Sequence, residues 1–420
     1  MASFGFLLLL SFLAFCSAAS FAFASNATLP YEEVEALKDI AKTLGKYDWD
    51  FSIDPCNKEG AGNWRTPAGP TYGTNVTCDC TYANNSVCHV TYITLIGQNL
   101  SGTLPPKLVN LTYLQTVNLA GNYLNGTIPK EWGIFSNLSS IFLQVNRLTG
   151  PIPIELANIT TLELLDLGFN EFYGNLPPEL GNLSKIEGLG LSSNNFTGEL
   201  PTEFAKLTAL KEFYINDNQF SGRIPDYIQN WISLEQMTMV GSGLSGPIPS
   251  RIFLPLENLT VLQISDLSGP DSTFPQLNET TSLRRLILRS CNINGTLPDY
   301  LINMSSLWIL DLSFNKLSGP IPDSSENISS YIYLTGNLLT GPLPEPRSHR
   351  AMDLSYNNLT IESQAECRKT KTRNLFASSS TGNNSKPYFC VDTEGCSTTS
   401  KLTSILCISP NKLWWTPSFV

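Results

Sequence analysis

The sequence is poor in charge and in histidine. Only 15% of its 420 residues are charged, against roughly 25% in an average soluble domain, and the only histidines are His89 and His349. The formal net charge is −10 and no long run of Lys or Arg occurs. Because phosphate binding needs clustered positive charge, a nucleic-acid-binding protein is excluded. Two histidines leave little material for a catalytic or zinc site, so we expect no cofactor and no metal.

Long hydrophobic runs are equally scarce. One apolar run extends from Phe4 to Phe15, and small residues follow it up to Ala24. This order is typical of a secretory signal peptide cleaved after Ala24. An uncleaved signal anchor is the alternative, but the run is shorter than the roughly 18–20 apolar residues of a membrane span. We therefore expect a secreted chain without a membrane span, in a compartment where disulfides form.

Acceptor sites for N-linked glycans are abundant. Seventeen Asn-x-Ser/Thr tripeptides occur in the chain. One such tripeptide is weak evidence, but this density behind a signal peptide favours a glycosylated secreted protein. The candidate acceptors include Asn75, Asn110, Asn125, Asn137, Asn158, Asn182, Asn195, Asn258, Asn294 and Asn303.

Leucine, with 59 residues, is spaced periodically. The second residue of each Leu-x-Leu pair recurs every 24 residues from Leu95 to Met239, and then at steps of 25, 24, 24, 22 and 20 as far as Leu354. We call these residues the anchors. Alternating apolar residues form a short strand with one buried face. Such units must stack to bury it, so the spacing predicts a twelve-coil solenoid with a concave parallel sheet about 55 Å long.

In most coils, the residue three positions after the anchor has a side chain that can hydrogen-bond to backbone N–H and C=O groups. Stacked amides there would pair the polar groups that each turn leaves buried, and they predict a ladder through the solenoid. Ser242 replaces the amide in one coil, and the coil anchored by Ile264 lacks it. Cys291 is interpreted as a buried ladder residue with a free thiol, and a reactive cysteine is the alternative. The predicted ladder is Asn122, Asn146, Asn170, Asn194, Asn218, Cys291, Asn315, Asn337 and Asn357.

The residues before the repeats predict a cap for the exposed end of the core. Pro30 to Leu44 has the pattern of an amphipathic helix, which Pro30 opens and Gly45 closes. Its predicted inner face comprises Val34, Leu37, Ile40, Ala41 and Leu44.

Four cysteines follow this helix, and four cysteines permit three pairings. Because a bond between Cys78 and Cys80 is sterically unfavourable, Cys56 and Cys88 should each take one of them. Which one each takes stays open at this point. A zinc site that adds His89 is the alternative, and oxidation in the secretory pathway disfavours it.

These motifs resemble a known family. The pattern Leu-x-x-Leu-x-Leu-x-x-Asn-x-Leu-x-Gly-x-Ile-Pro is similar to the plant-specific leucine-rich repeat. Asp54-Pro55-Cys56, Thr77-Cys78-Asp79-Cys80 and Cys88-His89-Val90 resemble the amino-terminal block of plant leucine-rich-repeat receptor-like serine/threonine kinases that also carry a malectin-like domain. The run Asn374-Leu375-Phe376-Ala377 is similar to the linker after their repeats.

The resemblance implies a right-handed solenoid of the α/β class. Parallel strands would line its concave face, 3-10 or irregular segments its convex face, and a small disulfide-bonded helical cap its amino end. The implied division is a signal peptide at 1–24, a cap at 25–91, about twelve repeats at 92–360, and a poorly ordered Ser/Thr/Cys-containing linker remnant at 361–420. It also implies an extracellular location, in the apoplast, and an extracellular protein, peptide or glycan ligand with a co-receptor ectodomain as partners.

Kinase motifs are not found in the sequence. His349-Arg350-Ala351 has Ala where the catalytic loop of such kinases has Asp, and no Gly-rich phosphate loop or Asp-Phe-Gly occurs. We therefore expect a receptor ectodomain cut short, and not an enzyme. An enzyme built on Asp166 and Asp311 is disfavoured, because six strands would separate these carboxylates by roughly 29 Å.

Binding is expected on the concave face, where polar and aromatic side chains of a rigid sheet can meet a partner. The candidate patch is Phe142, Gln144, Asp166, Tyr214 and Asn216. A merely solvated face is the alternative. A secreted inhibitor of microbial cell-wall hydrolases, like the plant polygalacturonase-inhibiting proteins, and a soluble decoy receptor are the alternative functions.

Overall fold

The described part of the chain comprises residues 27–56, 64–69, 72–322, 331–342, 351–360, 374–379 and 389–390 of the computed structural model. The predicted signal peptide and most of the predicted tail lie outside these residues.

The cap begins with the expected helix, which spans Tyr31–Leu44. It follows Pro30, and Gly45 ends it in the left-handed conformation with φ of 78°. Leu37 and Ile40 are fully buried, as predicted. Val34, however, is only half-buried, and Glu33 occupies a buried place instead.

The buried carboxylate of Glu33 joins the helix to the cap strand that follows it. Its Oε2 accepts a hydrogen bond from the Val90 backbone N–H at 2.9 Å, and its Oε1 contacts Nδ1 of His89. The His89 ring stacks on Tyr113 with a centroid distance of 3.9 Å. The histidine is thus part of the packing between the cap and the repeats.

Antiparallel strands Arg65–Gly69, Tyr72–Thr81 and Val87–Ile96 complete the cap. The turn Tyr82–Asn85 connects the last two and contains three residues with positive φ. Val87–Ile96 also pairs in parallel with the first repeat strand, Thr116–Asn118. The predicted boundary at 91/92 therefore falls inside a strand that the cap and the repeats share.

Two disulfides hold the cap strands. Cys56 bonds to Cys78, and Cys80 bonds to Cys88. This is one of the two pairings that the sequence left open. Among the described residues, no group of three or more His, Cys, Asp or Glu side chains is placed to hold a metal ion.

The concave sheet contains one parallel strand per coil, and neighbouring strands pair without a shift in register from Thr116 to Tyr333. All twelve anchors are at most 1% exposed, which confirms the stacked core. The strands are Val87–Ile96, Thr116–Asn118, Ser140–Phe142, Leu164–Asp166, Gly188–Gly190, Glu212–Tyr214, Gln236–Met239, Val261–Ser265, Arg285–Arg289, Ile309–Asp311, Tyr331–Tyr333 and Ala351–Thr360. Beyond them, Asn374–Ser379 pairs with the last strand and Phe389–Cys390 pairs with it in turn.

A second layer of parallel strands, which the sequence did not predict, follows the ladder residue of most coils. Phe172, Phe196 and Phe220 stack inside this layer with centroid distances of 6.3 and 6.2 Å. The layer is interrupted between Phe220 and Ser272, where only isolated bridges occur. Its strands are Asn125–Gly126, Arg147–Gly150, Glu171–Asn175, Asn195–Gly198, Gln219–Phe220, Ser272–Thr273, Ile293–Thr296, Lys316–Gly319 and Leu338–Pro342.

Short helical turns occupy the third side of the coils, as the fold class predicts. Each begins after the Pro that ends the Gly-x-Ile/Leu-Pro segment, where the missing N–H costs nothing. Trp132 and Trp231 bury their rings here and donate their Nε1–H to the carbonyls of Pro105 and Phe204. The turns are Pro106–Asn110, Lys130–Ile134, Ile154–Asn158, Pro178–Asn182, Thr202–Lys206, Asp226–Asn230 and the α-helical Asp299–Ile302.

Candidate functional site: the concave face and its edge

The asparagine ladder fixes the turn at the end of every regular concave strand. In the coil of Asn194, Nδ2 donates to the carbonyls of Leu167 and Leu191 at 3.0 and 3.2 Å, and Oδ1 accepts the Phe172 N–H at 3.0 Å. One amide thus joins two coils through three buried backbone groups. All eight predicted ladder asparagines make this arrangement: Asn122, Asn146, Asn170, Asn194, Asn218, Asn315, Asn337 and Asn357.

Cys291 takes the ladder position as predicted. Its side chain is fully buried, and its thiol donates to the carbonyls of Ile264 and Arg289 at 3.4 and 3.2 Å. Burial raises the pKa of the Cys291 thiol well above its usual value, so the reactive thiolate is disfavoured. These observations support the interpretation of a structural residue.

The predicted binding residues lie on neighbouring concave strands. Phe142 pairs with Asp166, Asp166 with Gly190, and Gly190 with Tyr214, so that four consecutive coils contribute. The Phe142 and Tyr214 rings are half-buried. Gln144 is half-buried too, and its Oε1 is buried without a hydrogen-bond partner in the described part of the chain.

Asp166 lies on the predicted face but is only 8% exposed, which the sequence did not indicate. The cause is Gly190 on the next strand, where a Cβ would come within 2.6 Å of Asp166 Oδ1. Because glycine leaves this space empty, the carboxyl group lies over the neighbouring strand, and Oδ1 accepts the Gly168 N–H at 3.0 Å. Burial, with a smaller contribution from the Glu212 charge, raises the pKa of Asp166 to about 6.

Asn216 is also buried rather than open to a partner. Its Nδ2 donates to Thr238 Oγ1 and its Oδ1 accepts the Val240 N–H, both at 2.8 Å. The Tyr214 hydroxyl donates to Gln236 Oε1 at 3.1 Å. The expectation that the whole patch faces outward is thus wrong for Asp166, whose carboxyl group bonds within its own coil, and for Asn216, whose amide joins two coils.

Sequence reasoning missed a row of residues at the edge of the concave face. The row, which we call the edge row, consists of the residue two positions after each anchor. From Gly97 to Gly336 and at Tyr356 these residues have positive φ. Glycine at Gly97, Gly121, Gly241 and Gly336 was the available signal, since only glycine adopts this conformation without strain.

The predicted glycan acceptors lie outside the concave strands from Val87–Ile96 to Tyr331–Tyr333, and Asn358 falls at the end of the last strand, Ala351–Thr360. Asn75 and Asn294 are half-buried, and the other eight named acceptors are exposed. Asn75 pairs with Thr94 at the cap end of the sheet. Glycosylation itself stays a prediction. None of the helices among the described residues is long and apolar enough to cross a membrane.

Stacked leucine-anchored coils with an internal asparagine ladder define the class of the leucine-rich-repeat solenoid. The family described as "Leucine Rich Repeat" matches the chain at residues 113–134, 161–183, 185–207, 209–231, 282–304 and 306–328.

The sequence relatives include probable receptor-like kinases of Arabidopsis thaliana. One probable LRR receptor-like serine/threonine-protein kinase is 41% identical over 132 residues, which are 30% of this chain and 13% of that protein. A second is 47% identical over 98 residues, or 23% of this chain and 9% of that protein. The alignments thus span about a tenth of the relatives' length.

Solved structures agree with this class. The Arabidopsis receptor kinase HAESA, in complex with the peptide hormone IDA and the co-receptor SERK1, matches with a TM-score of 0.64 and 27% identity, over 79% of this chain and 54% of that chain. The PEPR1–AtPEP1 complex matches with a TM-score of 0.64 and 28% identity, over 82% and 51%. Together with the sequence relatives, they show that this chain is similar to the leucine-rich-repeat parts of plant receptor-like serine/threonine kinases.

Proposed function

We propose that the chain recognises an extracellular ligand as the ectodomain of a plant receptor-like kinase. The observation that carries the proposal is the concave sheet, a rigid parallel surface lined by Phe142 and Tyr214 and without glycan acceptor sites in its strands from Val87–Ile96 to Tyr331–Tyr333. Rigid surfaces with aromatic side chains bind at low entropic cost. HAESA, which shares this fold at 27% identity, is bound to a peptide hormone and a co-receptor.

The finer parts of the proposal rest on the same observations. A peptide is the favoured ligand, and a second ectodomain is the favoured co-receptor. The cap motifs support the malectin-containing subfamily, and the family match, which consists of repeats alone, supports a recognition role without catalysis in this chain. The receptor fold and the disulfides of the cap support an extracellular location.

The test uses the secreted full chain and a displayed library of random 12-residue peptides. We expect enriched peptides that bind the wild type and lose binding when Phe142→Ala and Tyr214→Ala are combined, because hot spots are dominated by aromatic side chains. The matched control combines Ile134→Ala and Ile154→Ala, two exposed apolar side chains on the helical side of the coils. Equal loss of binding in both variants, or no enrichment on the wild type, would contradict the proposal.

A further inference from the structure

The edge row carries apolar side chains at two adjacent coils where strain would favour glycine. Val145 has φ of 60° and Phe169 has φ of 55°. For a β-branched residue such as Val145 this conformation is a genuine outlier, and it costs roughly 1–2 kcal/mol. Residues held in strained conformations cluster at functional sites, so the two side chains need a reason to be there.

Burial does not supply that reason. Val145 is 52% exposed and Phe169 is 49% exposed, although both belong to apolar residue types. The edge row elsewhere holds glycine or polar residues at most coils, and the aromatic Phe314 and Tyr356, 48% and 65% exposed, on two coils that are not adjacent. Val145 and Phe169 are the edge-row pair that brings exposed apolar side chains together on adjacent coils, and a contiguous exposed apolar patch favours contact with another molecule.

Val145 and Phe169 form one surface with the concave patch. The Asn146 N–H donates to the Phe169 carbonyl at 3.2 Å, which places the two edge residues on neighbouring coils, about 4.8 Å apart. Phe142 lies three residues before Val145 on the same coil. Tyr123, 48% exposed, lies at the other border of this surface. The Arg147 guanidinium lies over its ring, 4.9 Å from the ring centroid.

The charges beside this surface are mainly acidic. Asp166 lies on the concave side, Glu163 precedes its strand, and Glu171 follows it. The basic side chain of the two coils, Arg147, is turned onto Tyr123. A partner that covers these coils gains from positive charge, because electrostatic complementarity favours opposite signs.

We infer that Phe142, Val145 and Phe169 dock a peptide segment that carries apolar side chains next to a Lys or Arg, with the basic group at Glu171, an exposed carboxylate two residues after Phe169. The inference rests on the proposed function and deepens it, since it names the chemistry of the ligand and adds the edge of the coils to the concave face. The strain at Val145 is retained in the free protein because the side chain is needed in the complex.

The experiment measures stability and binding in the same variants of the secreted full chain. Val145→Gly and Phe169→Gly remove an apolar side chain and the strain together, and Ser193→Gly removes the strain with a small polar side chain whose Oγ donates to Asp217 Oδ2 at the surface, 3.2 Å away. We expect thermal midpoints equal to or above the wild type in all three. Peptides selected from the random 12-residue library should be rich in apolar residues with Lys or Arg, and should bind Val145→Gly and Phe169→Gly at least about tenfold more weakly. Ser193→Gly should change their binding less than about twofold.

Each other outcome has a definite meaning. Peptides that ignore Val145→Gly and Phe169→Gly but are lost in the Phe142→Ala, Tyr214→Ala variant would overturn the inference and leave the proposed function intact. A library that yields no binder would overturn both. Selection on Glu171→Gln that still enriches Lys and Arg would overturn the assignment of the basic group. A wild-type dimer in sedimentation that Val145→Gly dissolves would show a second copy, not a peptide, on this surface.

Discussion

The coils anchored from Leu119 to Ile215 differ from the two coils that follow, anchored by Met239 and Ile264. In the first region every coil has a ladder asparagine and a strand in the second layer. In the second region Ser242 stands at the ladder position, the next coil has Asp266 and Leu267 there, and the second layer is reduced to isolated bridges until it resumes at Ser272–Thr273. The concave sheet nevertheless continues, since Met239 pairs with Ile264 in register.

The comparison separates the alignment of the concave strands from the ordering of the segment that follows each strand. The apolar anchors alone suffice to align the concave strands, because their burial is the same in both regions. The asparagine organises what comes after the strand. Where it is absent, the Phe220 N–H donates to the Ser242 backbone carbonyl at 3.0 Å instead, and the second layer stops. The alignment of the concave strands is therefore set by the spacing of the apolar anchors, and the turn after each regular strand by the ladder asparagine.

Removal of a ladder amide in the regular region should have the largest effect on stability. Asn194→Ala leaves the Phe172 N–H without its partner and removes one of the two amide hydrogen bonds to each of the Leu167 and Leu191 carbonyls. An unsatisfied buried N–H costs about 1–3 kcal/mol and each lost hydrogen bond about 1 kcal/mol, so we expect a loss of about 3 kcal/mol. The thermal midpoint measures it, with Gln219→Ala as the control, since that amide is exposed. A midpoint near the wild type would show that the ladder is dispensable and would remove the contrast between the regions.

A smaller effect, of opposite sign, is expected from Asp166→Asn in the same region. The folded-state pKa of about 6 lies above the ordinary value of 3.8. A raised pKa means that the protonated form is favoured in the folded state, so the stability present at low pH is lost as pH rises through 6. Asparagine keeps the acceptor for the Gly168 N–H without the charge, and should add about 2 kcal/mol at pH 7.

The measurement is the thermal midpoint between pH 4 and pH 7. The wild type should lose stability over this range relative to Asp166→Asn, and the two curves should converge at the acid end. Asp311→Asn is the matched control, because Asp311 makes the same bond to the N–H two residues on but is less buried. Parallel curves for Asp166→Asn and the wild type would refute the assignment of the raised pKa to this group.

Much of this fold was predictable from spacing alone. The anchors, the ladder and the cap helix depend on residues within one coil or one helix, where periodicity fixes which side chains face inward. The burial of Asp166 was not predictable in that way, because it depends on Gly190, which is 24 residues away and adjacent only after the coils stack. The edge row is defined by a positive φ and not by apolar spacing. The glycines at some of its positions indicate this conformation, but the apolar residues at others do not.

The smallest effect is expected where the ladder is already interrupted. In Ser242→Ala the hydroxyl is lost, but its hydrogen bond from the Leu244 N–H is 3.5 Å long and joins no second coil. We therefore expect a loss below about 1 kcal/mol, since such a long bond contributes little. The effect should add to that of Asn194→Ala in the double variant, because the two positions lie on separate coils without shared partners. A drop in the thermal midpoint as large as that of Asn194→Ala would show that Ser242 stabilises its coil as much as a ladder asparagine does. The two regions would then differ in the residue at the ladder position but not in the way their coils are stabilised.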